Sequence, residues 1–364
     1  MVKQESKIPP TYGIKYVGSK LKILPHIVSM LNELKDVETV LDGFSGTTRV
    51  SQLFAQLGYH TTSSDISIWS DVVAHCFLKS SKKDAFYQEI IDYLNSLKGY
   101  EGWYTHNYGS DSVSAKKPFQ SKNTKKLDAI RDEIENLDLE WVDKSVILTS
   151  LIFGLDKVDS ALGHYVSYLS KWSPRSHKDL LLQLPKRFPT NQLNHSVIRG
   201  DIFQTVLNKK YDFVYLDPPY GSNNDKMPPS RVRYAAYYHI WTSIIKHDKP
   251  KLFGKVNRRE DTRDTVSASV FEEFRKLKDG SFIAMHALDK LIQQTQSKYI
   301  LLSYSSGGRS TKKELNYIIN KSGKLLKAIE FNYRKNVMSN MRWTHDWVNS
   351  DGKYLEYLFL MKKK

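Results

Sequence analysis

The apolar residues of this chain follow two periods, and the places where the period changes divide it. Leu21, Leu24, Ile27, Val28 and Leu31 recur at helical spacing, after which Thr39, Val40 and Leu41 form a short strand running into Gly43 and Gly46. A helix is expected from about 47 to 57, closed by Gly58, with a second strand over 59–64. From 68 to 194 the pattern turns helical, through Val72, Val73, Cys76 and Phe77, then Phe86, Ile90, Ile91 and Leu94, then Leu127, Ile130, Ile134 and Leu137, then 146–151. Strand patterns return at 195–198, 213–216, 298–306, 325–333 and 354–361. Helical stretches are expected around Phe271 and Leu288, and a capped helix from Thr311 and Glu314 to Gly323. Strands alternating with helices predict an open α/β sheet, interrupted by a mainly helical block.

The run at 213–216 carries the most information. Phe213, Val214, Tyr215 and Leu216 suit a strand buried on both faces, and it stops at Asp217-Pro218-Pro219-Tyr220. Two prolines cannot extend a ladder, and the residue before a proline is held extended, so Asp217 is presented at the carboxyl end of its strand. Open α/β sheets bind ligands there. A planar base bearing an exocyclic amine can donate to the Asp217 carboxylate and the Pro218 carbonyl while its ring stacks on Tyr220. The alternative is an Asp-Pro turn that only ends a strand.

Other candidates lie upstream. Gly43 and Gly46 let backbone approach a ligand, and the helix behind them can hold an anion, but the third glycine of a dinucleotide fingerprint is missing. Asp65, at the end of the second strand, is spaced to accept from both hydroxyls of a ribose or else to cap a helix. Gly18 and Ser19, flanked by Lys15 and Lys20, make a weak anion site at a helix start. Asp201 either serves a ligand or caps the helix that follows it.

Composition narrows the class. The chain has 364 residues, 40% of them hydrophobic, and contains no apolar run long enough to span a bilayer; its first ten residues lack a signal-peptide core, so a cytoplasmic protein is expected. Cys76 is the one cysteine, which excludes an internal disulfide framework, and its apolar neighbours place it on a buried helix face. The histidines show no metal-ligand spacing, and no metal is expected. A formal charge of +16 fits a partner rich in phosphate. The helical block interleaves aromatic, hydroxyl and basic residues in what read as loops, at 103–108 and again at Tyr165, Tyr168, Lys171, Trp172 and Arg175. Arg231, Arg233 and Tyr234 follow the Asp217 turn, and Arg334 and Arg342 lie between the last two strands.

The order of these motifs resembles that of adenine-specific DNA methyltransferases: an amino-terminal Gly-Ser-Lys turn, a Phe-x-Gly turn at Phe44 and Gly46, an insertion, and Asp-Pro-Pro-Tyr at 217–220. The resemblance implies a doubly wound, mostly parallel seven-stranded sheet built from 1–67 and 195–364, with 68–194 as a helical target-recognition insertion. It implies S-adenosylmethionine as cofactor, touched by Tyr16, Lys20, Asp42, Phe44, Gly46, Asp65, Asp201 and Ile202, with Asp201 on the cofactor's adenine. It also implies direct methyl transfer to a flipped adenine at Asp217, Pro218, Pro219 and Tyr220, with Lys20 between cofactor and double-stranded DNA. A restriction–modification role, with a cognate endonuclease acting on the same site, comes with it. One departure stands out, because Thr48 occupies a position that is usually glycine in the family. Three rivals stay open: an RNA methyltransferase, a cytosine-amine enzyme, which usually has Ser in place of Asp217, and a DNA-binding relative without catalysis.

Overall fold

The computed structural model describes residues 8–113, 116–189, 194–222, 233–263, 269–332 and 355–364. Its main sheet has seven strands: β1 (Thr39–Asp42), β2 (His60–Asp65), β3 (Ser196–Arg199), β4 (Tyr211–Leu216), β5 (Ser297–Ser305), β6 (Gly323–Asn332) and β7 (Leu355–Lys363), in the spatial order 3-2-1-4-5-7-6. Neighbours from β3 to β5 are parallel, and β7 runs antiparallel between β5 and β6. The order reverses between β1 and β4, so the chain leaves their carboxyl ends in opposite directions and opens a crevice there.

Side-chain alternation explains why both faces are covered. Val40, Phe213, Tyr215, Leu301, Leu358 and Leu360 point to one face, where they pack on helix α1 (Leu24–Leu31) and helix α2 (Arg49–Gln56). Their neighbours Leu41, Val214, Leu216, Ile300 and Leu302 point to the other, beneath α8 (Ile202–Asn208), α11 (Ile283–Gln294) and α12 (Lys312–Ser322). A helical stretch was expected around Phe271; that residue lies instead in the short 3-10 turn Val270–Glu272, which Ser269 opens by accepting from Phe271 N–H.

Between β2 and β3 the chain builds a second core from α3 (Ile68–Leu78), α4 (Asp84–Ser96), α5 (Trp103–Tyr108), α6 (Ser121–Asn136) and α7 (Trp141–Val158). This core also takes in Tyr237, Tyr238, Ile240, Trp241, Ile244 and Ile245 from α9 (Tyr234–Tyr237), α10 (His239–Lys246) and the residue between them, which follow β4. Arg131 fastens the two segments: buried on α6, it donates to the carbonyls of Ile244 at 2.6 Å and Ile245 at 3.1 Å, the last carbonyls of α10. The segment 103–108, expected as loop, is helical because Asp128 caps it from α6, accepting from the backbone N–H groups of Gly102, Tyr104 and Thr105.

The turn after β1 explains the unusual Thr48. It is fully buried at φ +60°, in the left-handed region that a β-branched residue rarely occupies. Its hydroxyl accepts from Gln52 Nε2 at 3.0 Å, and that amide also clamps the Tyr12 backbone through both N–H and C=O. Thr48 thus exchanges glycine's freedom for a hydrogen bond. Thr48→Val, which keeps the strain and deletes the bond, is expected to lower unfolding stability by about 1 kcal/mol, whereas Thr48→Gly, which loses both, stays within about 1 kcal/mol of the native protein. Urea midpoints test this; a glycine variant weaker than the valine variant contradicts it.

Candidate active site

The crevice beyond β1 and β4 is a cavity of about 670 Å³ lined by every residue expected to hold cofactor or to act in catalysis. Three elements shape its cofactor end. The turn after β1 brings Asp42, Phe44 and Gly46; the end of β2 brings Asp65; and the start of α8 brings Asp201 and Ile202.

Asp65 organises the first of these turns. Its Oδ2 accepts from Gly46 N–H at 2.8 Å and its Oδ1 from Ser67 N–H at 2.9 Å and Ser67 Oγ at 2.6 Å. Burial raises its carboxyl pKa, against these three bonds. Gly46, at φ +48°, lies where a Cβ would crowd the Tyr16 ring, so the backbone and the ring close on each other. Tyr16 stacks on Tyr238 at 4.9 Å and also meets Trp69 and Tyr234, an aromatic wall joining the lead-in to the helical core.

Asp42 is almost wholly buried. One oxygen accepts from Ser51 Oγ at 2.6 Å, and Oδ1, inside the cavity wall, has no partner. Burial pushes its carboxyl up to about 7, with the Asp217 and Asp65 charges adding to the shift. Asp201 caps α8 through Phe203 N–H at 2.8 Å and faces the cavity as well, so the two roles weighed for it are compatible. Ile202 packs beside Gly43, and Phe44 meets Phe271 edge to face at 5.1 Å. Phe271 had no local signal as a site residue, because the rings it meets, Phe44 edge to face and Phe203 stacked, come from the turn after β1 and from α8, remote in sequence.

The other end of the cavity is a network around Asp217. Lys20 Nζ sits 3.0 Å from Asp217 Oδ1, 3.2 Å from Glu356 Oε1 and 4.8 Å from the centre of the Tyr220 ring. The Tyr220 hydroxyl contacts Asp217 Oδ1, donates to Glu356 Oε1 at 2.7 Å and lies 2.9 Å from Ser303 Oγ. Burial pushes the Asp217 carboxyl up to about 6; Lys20 pulls it down and Glu356 adds to the rise. Burial alone would lower the Lys20 ammonium, but Asp217 and Glu356 outweigh it and hold the pKa above the ordinary lysine value. The turn is clamped from behind, where Arg309 N–H donates to Tyr220 C=O at 3.0 Å and its guanidinium fills the space a side chain at Gly221 (φ +64°) would need. Glu356 and Ser303 escaped the sequence reading. The one signal for Glu356 was a lone carboxylate at the start of the apolar run 357–361.

The residues expected at DNA are less uniformly placed. Lys20 lies in the cavity network and Tyr234 on the aromatic wall, Lys171 is exposed, and Tyr168, Trp172 and Arg175 are half-buried. Arg175 is ion-paired with the buried Asp159. Tyr165 and Arg233 are buried, Tyr165 donating to Asp159 at 3.0 Å, so packing surrounds both. Arg231, Arg334 and Arg342 lie outside the described residues. Cys76 is buried, and burial pushes its thiol up to about 12. Among the described residues no helix is long and apolar enough to cross a membrane, and no three His, Cys, Asp or Glu side chains group to hold a metal.

Residues 16–278, which include this cavity, match the model of the D12 class N6 adenine-specific DNA methyltransferases. The chain belongs to this family. Membership implies a methyl-donor cofactor and DNA as substrate. Relatives include the modification methylase StsI of Streptococcus sanguinis, 28% identical over 96% of this chain and 52% of its own length, and the type II methyltransferase M.NlaIII of Neisseria lactamica, 26% identical over 95% and 99%. The type II methyltransferase M.FokI of Planomicrobium okeanokoites is 24% identical over 96% of this chain and 53% of its own length. The chain thus spans about half the length of the StsI and FokI methylases and nearly all of M.NlaIII.

The Asp42 carboxyl sets a pH test of this geometry. Between the unfolded value of about 4 and the folded value of about 7, the folded chain holds a proton that the unfolded chain has released. Stability from this group therefore falls as pH rises through that window, and above it the full cost of a buried charge remains. Asp42→Asn is expected to raise the ligand-free protein's stability by about 2 kcal/mol at pH 8, with the gain shrinking as pH falls toward 4. Urea unfolding at both ends of the range checks this, and a pH-independent gain contradicts it.

Proposed function

We propose that this chain transfers the methyl group of S-adenosylmethionine directly to the exocyclic amine of an adenine flipped out of double-stranded DNA, as the modification enzyme of a restriction–modification system. The observation that carries the reading is that the turn at 217–220 and the cofactor turn at 43–46 line one cavity. The cofactor residues suit the nucleoside and its chain: Asp42 offers an unpartnered buried oxygen, Asp65 a carboxylate, Ile202 and Phe44 apolar surface, and Gly46 close backbone approach. When bound, the sulfonium supplies an electrophilic methyl group.

The chain's own residues then position and polarise the acceptor. Asp217 accepts one amine hydrogen and the Pro218 carbonyl the other, which turns the nitrogen lone pair toward the methyl donor. With its carboxyl near 6, Asp217 is an anion at pH 8 and a competent acceptor of the proton the amine loses. Pro219 stiffens the turn, and the Tyr220 ring stacks on the base. Lys20 bridges cofactor, acceptor and DNA. Unstacking the adenine costs a few kcal/mol, offset by these contacts and by phosphate binding to a strongly basic chain. The target-recognition unit in this reading is 68–194, with 1–67 and 195–364 forming the catalytic unit; Lys171, Trp172 and Tyr168 are its DNA-facing candidates, with a cognate endonuclease as a partner in the cell.

Incubation with labelled S-adenosylmethionine and unmethylated genomic DNA, followed by digestion to nucleosides, tests the reading. Label is expected in deoxyadenosine, and Asp217→Ala is expected to lower transfer by at least about a thousandfold. Label in deoxycytidine overturns it, as does no label in DNA when structured RNA in a parallel incubation is labelled.

A further inference from the structure

We propose that Glu356 is a positioning residue for the transfer: it takes over Lys20 and the Tyr220 hydroxyl so that the Asp217 carboxylate is released to the incoming amine. The inference rests on reading Asp217 as the amine's acceptor. In the ligand-free arrangement Asp217 Oδ1 already meets both donors, Lys20 Nζ at 3.0 Å and the Tyr220 hydroxyl. Glu356 Oε1 meets the same two, at 3.2 Å and 2.7 Å, and a third, Ser303 Oγ, at 3.2 Å. Two carboxylates therefore share one ammonium and one phenol. An amine that takes this same oxygen, Oδ1, displaces these donors, and they let go at little cost where a second anion waits within reach.

Packing does not require a charge here. Glu356 is buried on a strand paired on both sides, followed directly by the buried run Tyr357, Leu358, Phe359, Leu360 and Met361. A carboxylate in such a place is costly unless partnered, and its partners are the groups that hold Asp217. The ionisable groups facing Asp217 and Glu356 come from the neighbouring elements: Tyr16 and Lys20 from the lead-in, Asp42 from β1, Tyr215 and Tyr220 from β4 and its turn, Tyr304 from β5 and Tyr234 from α9. Among them Lys20 is the cation, and it sits between the two carboxylates.

Burial and the charge of Glu356 both raise the Asp217 carboxyl, while Lys20 lowers it. Removing the Glu356 charge therefore makes Asp217 a stronger acid and leaves Lys20 and Tyr220 bound to it. Glu356→Gln keeps the shape of the side chain. It is expected to lower kcat roughly 10- to 100-fold, to leave S-adenosylmethionine binding unchanged and to move the acid limb of the kcat profile to lower pH; Glu356→Asp returns the limb toward its native place. A native kcat and limb overturn the proposal, as does a lower kcat with the limb unmoved, which marks a purely structural role. Should Glu356→Gln not fold, a carbon NMR titration of the wild-type carboxylates decides. A two-step Asp217 curve, coupled to a neighbouring carboxylate, supports the sharing, and a single independent Asp217 step overturns it. Absence of transfer to adenine by the native protein sinks the functional reading instead, and the NMR result stands apart from it.

Discussion

Strand β4 lies beside β1, parallel, with Asp42 opposite Tyr215, and the rest of the structure depends on that neighbour relation. The two strands are separated by well over a hundred residues, yet Gly43 N–H donates to Tyr215 C=O at 2.9 Å just where both strands end. One hydrogen bond therefore joins the base of the turn at 43–46 to the base of the turn at 217–220. Because the strand order reverses at this pair, both turns open into the same crevice rather than being covered by a crossing helix. Slippage by one residue would exchange Val214 and Tyr215 between faces and aim Asp217 away from the cavity.

The helical core is tied to that crevice at several independent points. Tyr238 of the segment after the catalytic turn stacks on Tyr16 and meets Trp69 of α3, while its hydroxyl accepts from Val17 N–H at 2.8 Å. Arg131 holds the far end of α10. The chain thus enters the helical core after β2 and contributes to it again after β4, so the wall of the cofactor cavity and the core that carries the candidate DNA-facing loops share residues. Movement of one is felt by the other through packed rings rather than through a linker.

Local signals made the frame legible and left its cross-links hidden. The apolar run at 213–216, the glycines after β1 and the Thr311–Glu314 capping box each declare themselves within a few residues, and the sheet and the pairing of the two turns follow from them. Asp128 capping α5, Arg131 capping α10 and Glu356 sharing Lys20 are contacts between segments far apart in sequence, where no periodicity reports them. The same reason turned 103–108 from an expected loop into a helix and put Tyr165 and Arg233 in packed surroundings. Thr48 lies between these cases. Its departure from glycine was visible, and the compensating Gln52 contact needed the structure.

The central claim is that one cavity is divided into a cofactor end and an acceptor end. Calorimetric titration of S-adenosylmethionine into the native protein, Asp217→Ala and Asp65→Ala separates the two. The account predicts near-native affinity for Asp217→Ala and a loss of roughly tenfold or more for Asp65→Ala, where the two hydrogen bonds proposed from the ribose hydroxyls are removed. Equal loss in both variants would contradict the division.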